Sequence, residues 1–141
     1  MWNARFLLIL LVAGIGCGGT NANPASPSPQ PLNVAGTWDG QFSGIVQGVG
    51  TPQTDSFVME LRQDGASVSG TLLYSGTTIP LPIAGTVEGI RFTYNGRVNL
   101  TSTCEATVRG EIAIDGARMD GPQIQSTCEG TAGGQMTATR R

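Results

Sequence analysis

From Val34 onward, apolar and polar residues alternate with period two between turn signals, and no segment sustains a helical period. The alternation predicts eight strands, at 34–46, 55–63, 66–75, 79–87, 90–98, 104–114, 117–128 and 131–140. In the second, Phe57, Met59 and Leu61 face one side while Glu60 and Arg62 face the other. In the third, Val68, Leu72 and Tyr74 share a face. The fifth sets Phe92, Tyr94, Val98 and Leu100 against Arg91, Thr93, Arg97 and Asn99. One apolar and one wet face per strand is what an antiparallel sheet shows when it closes around a single core. The expected fold is all-β, an eight-stranded antiparallel meander closed into a small β-barrel. Asp64-Gly65, Glu88-Gly89 and Asp115-Gly116 are tight-turn dipeptides, and Asn95-Gly96 is an equal turn signal inside the fifth strand.

The first 33 residues follow a different pattern. Met1–Arg5 carries one positive charge, and Phe6–Val12 is a continuous apolar run extended by Ala13, Gly14 and Ile15. The run is too short to span a bilayer and suits the apolar region of a signal peptide. It ends in Gly-Ile-Gly-Cys, with Gly18 and Gly19 following Cys17. This resembles the bacterial lipobox, whose cysteine receives diacylglycerol and becomes the new N-terminus; Gly14 stands where the motif usually has Leu. The resemblance implies a signal peptide over 1–16 and a lipidated Cys17 that anchors the chain to a membrane. Gly18 after the cysteine is similar to lipoproteins sorted to an outer membrane. Cleavage after Ala22, giving a periplasmic or secreted protein, is the other reading. Residues 17–33 hold four prolines among small polar residues and predict a lipid-anchored, flexible linker. The barrel domain then spans 34–141.

Composition narrows the chemistry. The formal net charge is −2, every basic residue is Arg, and no basic run exists that would hold nucleic acid. Without Lys or His there is no imidazole base, imidazole metal ligand or Schiff-base amine. Glu60, Glu88, Glu105, Glu111 and Glu129 fall on wet faces or turns, and the strand map forces no two together as an acid pair. The expectation is a non-enzymatic protein with no metal and no cofactor.

Two cysteines remain beyond Cys17, in the near-identical contexts Ser-Thr-Cys-Glu-Ala-Thr and Ser-Thr-Cys-Glu-Gly-Thr. Taking Asp115-Gly116 as a two-residue loop pairs Ile114 with Ala117, Ile112 with Met119 and Gly110 with Gly121. A bulge at Pro122, which has no N–H to donate, then sets Val108 opposite Ile124, Ala106 opposite Ser126 and Cys104 opposite Cys128. Directly opposed Cα atoms are close enough for a disulfide, and export supplies an oxidising compartment. A Cys104–Cys128 bridge is therefore expected.

Gly36-Thr37-Trp38 opens the first strand, and Arg140 lies near the end of the last. This pattern resembles the calycin superfamily of lipocalins, fatty-acid-binding proteins and avidins. The resemblance implies that Trp38 and Arg140 form a packing pair closing the barrel base. Asp39-Gly40 follows Trp38 where avidins have Gly-Ser, and Trp38 is the only Trp of residues 34–141, so no avidin-type aromatic cage is implied.

Phe57, Leu72, Tyr74, Phe92, Tyr94 and Met136 are the candidate cavity-lining residues. An eight-stranded barrel has room for its own side chains or for one small ligand. The many Gly, Ala, Ser and Thr at inner positions leave volume to spare. Two functions stand open. A lipocalin-like carrier would hold a small, mostly apolar ligand in the cell envelope. A protein-contact module, an envelope inhibitor or assembly accessory, would have a packed interior and bind an envelope protein through an exposed patch.

Overall fold

The computed structural model describes residues 30–141. The signal peptide expected over 1–16, the lipidation of Cys17 and most of the linker lie outside the described residues. The described chain forms eight strands: β1 Gly36–Val46, β2 Pro52–Asp64, β3 Ser67–Tyr74, β4 Leu81–Glu88, β5 Arg91–Thr101, β6 Cys104–Asp115, β7 Arg118–Thr127 and β8 Gly130–Arg140. Each pairs antiparallel with the next, and β8 returns to β1, with Trp38 opposite Arg140 and Val46 opposite Ala132. The meander thus closes into a barrel and leaves no free sheet edge, which removes the site where exposed strands aggregate. All eight pairings, the disulfide and the strap at the barrel base fall within residues 32–141, so the barrel closes within this stretch.

Three tight turns sit one residue later than the sequence pattern suggests. The last paired residues are Asp64 with Ser67, Glu88 with Arg91 and Asp115 with Arg118, so each loop is Gly-X rather than Asp-Gly or Glu-Gly. Gly65, Gly89 and Gly116 take φ values of 58°, 57° and 58°, and among the described residues no non-glycine residue has positive φ. Positive φ at the first loop position alone is the signature of a type II′ turn, whereas the Asp-Gly reading assumed type I′, which needs it at both. Asn95-Gly96 makes no turn at all. β5 runs straight through it, because a Cβ at Gly96 would lie 2.2 Å from the Pro82 carbonyl oxygen and only glycine admits that approach.

The turn shift changes the β6–β7 register. Ile114 faces Met119 and Gly110 faces Gln123, in one unbroken register that extends to Thr107 opposite Ser126. Two residues on each strand separate Gly110–Gln123 from Ala113–Asp120, so Pro122 interrupts the pairing without inserting an extra residue. The bulge expected at Pro122 is absent; the register shift lies between β5 and β6, at Asn99 and Thr101. Gln123 therefore points into the barrel at 1% exposure, and Ile124, expected inside, is 47% exposed on the outer wall.

The interior is filled from the base upward. Trp38, Phe42, Met59, Leu72, Phe92, Ile112, Met119 and Met136 are all fully buried. The inner glycines do not leave the expected volume in this region. The Tyr94 ring lies across Gly110, where a Cβ would come within 2.4 Å of it, and Phe57 lies across Gly40 in the same way. Glycine on one strand and an aromatic ring from the next share one space.

Candidate functional site

The two ends of the barrel differ. At the base, the residues before β1 cross the barrel floor. Val34 is fully buried, and its carbonyl accepts a hydrogen bond of 2.8 Å from Trp38 Nε1. Gln63 clamps this strap from β2, accepting from Val34 N at 2.7 Å and donating to the carbonyls of Leu32 and Gly65. The Arg140 guanidinium stands 4.7 Å from the Trp38 ring centroid and donates to the Asn33 carbonyl. An indole face, a delocalised cation and a buried valine leave no opening at this end.

The opposite end is open. Between the β1–β2, β3–β4, β5–β6 and β7–β8 connections lies a cavity of about 380 Å³. Its size is at the small end of the range of about 300–1,000 Å³ usual for ligand sites. Leu81, Val98, Leu100 and Ala106 supply apolar wall, and Gln53, Asp55, Tyr74 and Gln125 supply polar groups. Strand alternation puts all eight on inner positions.

Two hydrogen-bond chains organise the polar side. Tyr94 donates to Gln123 Oε1, and Gln123 Nε2 donates to Tyr74 Oη at 2.9 Å. Above them, Gln53 Nε2 and Gln125 Nε2 both donate to Asp55 Oδ2, at 2.6 and 2.9 Å. The first chain satisfies groups that burial would otherwise leave costly, and it fixes the Tyr74 ring as cavity floor. Burial raises the pKa of both phenols well above the ordinary tyrosine range; for Tyr74 the Gln123 hydrogen bond opposes this and the Asp55 charge adds to it, while the neighbouring Tyr74 adds to the effect on Tyr94.

That shift has a measurable consequence. A phenol whose folded pKa is raised contributes stability that is fully present below pH ~10 and is lost as pH rises from there toward the folded value. Tyr74 and Tyr94 are the only tyrosines in the chain. Absorbance titration is therefore expected to show no phenolate near pH 10. Phenolate should emerge in one step together with alkaline unfolding. Smooth ionisation of either ring near pH 10 in folded protein would count against the buried chain.

Of the six residues named as cavity lining, Tyr74 alone lines the open cavity. Phe57, Leu72, Phe92, Tyr94 and Met136 are packed into the core, each 2% exposed or less. The residues that shape the site's polar side, Gln53, Asp55, Gln123 and Gln125, were not singled out. Their signal was the same alternation: Gln53 and Asp55 continue the inner parity of Phe57, and Gln123 and Gln125 continue that of Met119 once no bulge intervenes. Glu129, read as a solvated turn residue, is exposed and also borders the cavity mouth. Cys104 and Cys128 are bridged, with Cα atoms 5.3 Å apart, but not as ladder partners. Cys128 belongs to the β7–β8 turn at the same rim.

Fold and site together define a closed up-and-down barrel with one sealed end and one cup. Compared with known proteins, the chain matches no family model, no curated protein sequence and no solved structure.

Proposed function

We propose that the domain is a calycin-like carrier or sensor of the cell envelope that holds one small, mostly apolar molecule in the cup. The observation that carries the reading is the cup itself: a cavity of about 380 Å³ with apolar walls and a few fixed polar groups, on a barrel sealed at its other end. The same end asymmetry suits a lipid anchor on Cys17. Leu32 and Asn33 meet the barrel at its sealed base, so a linker leading to a membrane leaves the cup mouth clear. The polar residues of the cup hold one another in hydrogen bonds and lie beside no imidazole or amine base, which favours binding over catalysis.

One outer-wall feature favours the protein-contact reading. Gly133 pairs with Ile45 on one side and Ile124 on the other, and both isoleucines are about half exposed, at 55% and 47%. A glycine between two isoleucines makes a shallow apolar strip across three strands.

Native mass spectrometry of residues 30–141, exported to a periplasm and purified gently without reductant, separates the two. The carrier reading expects a reproducible extra mass that denaturation releases, and its loss when Ala106→Trp fills the cup. A domain that carries no extra mass, with or without that substitution, would turn the reading toward the outer strip.

A further inference from the structure

The cup is not neutral. Asp55 and Glu129 border it, and no arginine among the described residues does. Arg97 and Arg109, on the strands that form one wall, are exposed on outward positions of the alternation. Arg140, the inward arginine of β8, is spent on Trp38 at the far end. An anionic amphiphile such as a fatty acid would find no countercharge here and would meet two carboxylates.

Asp55 is the central group. It stands on β2 one inner position above Phe57, half-buried, at the side of the cavity. Both glutamine amides that reach it donate to the same oxygen, Oδ2, and among the described residues no side chain donates to Oδ1. The amides orient the carboxylate while leaving an acceptor open beside apolar wall. Leu81, Val98, Leu100 and Ala106 carry no polar side-chain group that would recognise a second head. A partly desolvated carboxylate oxygen rewards a charged donor more than a neutral one.

On the carrier reading, we propose that the cup selects a protonated amine with a short apolar body, its ammonium donating to Asp55 and its hydrocarbon lying against β4, β5 and β6. The ligand class is an amphiphilic organic cation, and the cup discriminates against carboxylate amphiphiles of the same length.

Calorimetric titration of residues 30–141 with octylammonium, octanol and octanoate, at neutral pH and below micelle-forming concentrations, tests this. Octylammonium is expected to bind at least about tenfold more tightly than octanoate, with octanol between them. Asp55→Asn should bring octylammonium to within about twofold of octanol and leave octanol unchanged, the latter confirming that the variant folds. Glu129→Gln, at the exposed rim, should alter the preference less than about twofold. Octanoate binding as tightly as octylammonium to the unmodified protein would overturn the amine preference while keeping a ligand-binding cup. Failure of all three to bind would overturn the carrier reading and this inference with it.

Discussion

Trp38→Ala is expected to destabilise the domain by about 3–5 kcal/mol, the range for removing a large aromatic from a packed core. That is a fifth or more of the total stability of a typical domain, ~5–15 kcal/mol. Trp38 is fully buried, its indole N–H holds the Val34 carbonyl, and its face carries Arg140. Losing the ring therefore empties a core site, frees a buried carbonyl and leaves Arg140 over a void. The strap at 32–34 would lose its seat at the same time. Urea denaturation followed by circular dichroism measures the loss, and Trp38→Phe separates its parts. Phenylalanine keeps most of the buried area but has no N–H for Val34, so about 1–2 kcal/mol should be lost. Combining Trp38→Leu with Arg140→Met in a cycle isolates the cation–aromatic contact, for which about 0.5–2 kcal/mol is expected. A Trp38→Ala loss below 1 kcal/mol would mean that the base does not depend on this residue.

The second large effect belongs to the opposite end. Replacing Cys104 and Cys128 together by serine is expected to cost about 3 kcal/mol and lower the melting temperature by about 10–20 °C. The bridge spans a sequence separation of 24 residues and constrains the unfolded chain across the β6–β7 hairpin. It also has a local role. Thr127, Glu129 and Gly130 border the cup, and the bridge pins their turn to the first residue of β6. Amide exchange in the variant should rise most at residues 126–131 and 101–106, with the sealed base least changed. On the carrier reading proposed above, ligand affinity should fall with it, since a looser rim must be ordered on binding. Uniform exchange throughout the barrel would show that the bridge acts on global stability alone.

Elsewhere the tolerance of the fold follows the same division. Base and middle are packed by interlocking rings and glycines, where added volume has nowhere to go. The cup end is wider, more polar and built from turn residues, and its walls have room for substitution. The packed core and the open cavity thus lie at different heights along the barrel axis, with the Tyr94–Gln123–Tyr74 chain at the boundary between them.

Period-two alternation was enough to determine eight strands, their inner faces apart from the end of β7, and the closure of the meander, because one buried face per strand is a local property written in consecutive residues. The Cys104–Cys128 pairing was legible too, even though the register used to reach it was two residues out at the hairpin and shifted again at a bulge that does not exist. Together they left the pairing one residue out from Ile124 to Cys128: a disulfide spans that offset, with Cα atoms 5.3 Å apart, but at Gln123 and Ile124 it exchanged the faces. A turn's true loop depends on φ at one glycine, and Asp-Gly-Ala-Arg accommodates either a type I′ or a type II′ turn without changing composition.

The sequence by itself determined the all-β barrel, most of the strand faces and the residues available for chemistry. Only the tertiary structure decided which inner side chains fill the barrel and which border its cup. Phe57 and Tyr74 alternate identically along their strands, yet one lies in the core across Gly40 and the other forms the cavity floor. The two are ladder partners with ring centroids 5.9 Å apart, so what separates them is the neighbour each ring meets: Phe57 turns over Gly40 of β1, and Gln123 of β7 holds Tyr74 toward the cavity. Those neighbours are set by the pairing of eight strands, a sum of registers that no single strand contains.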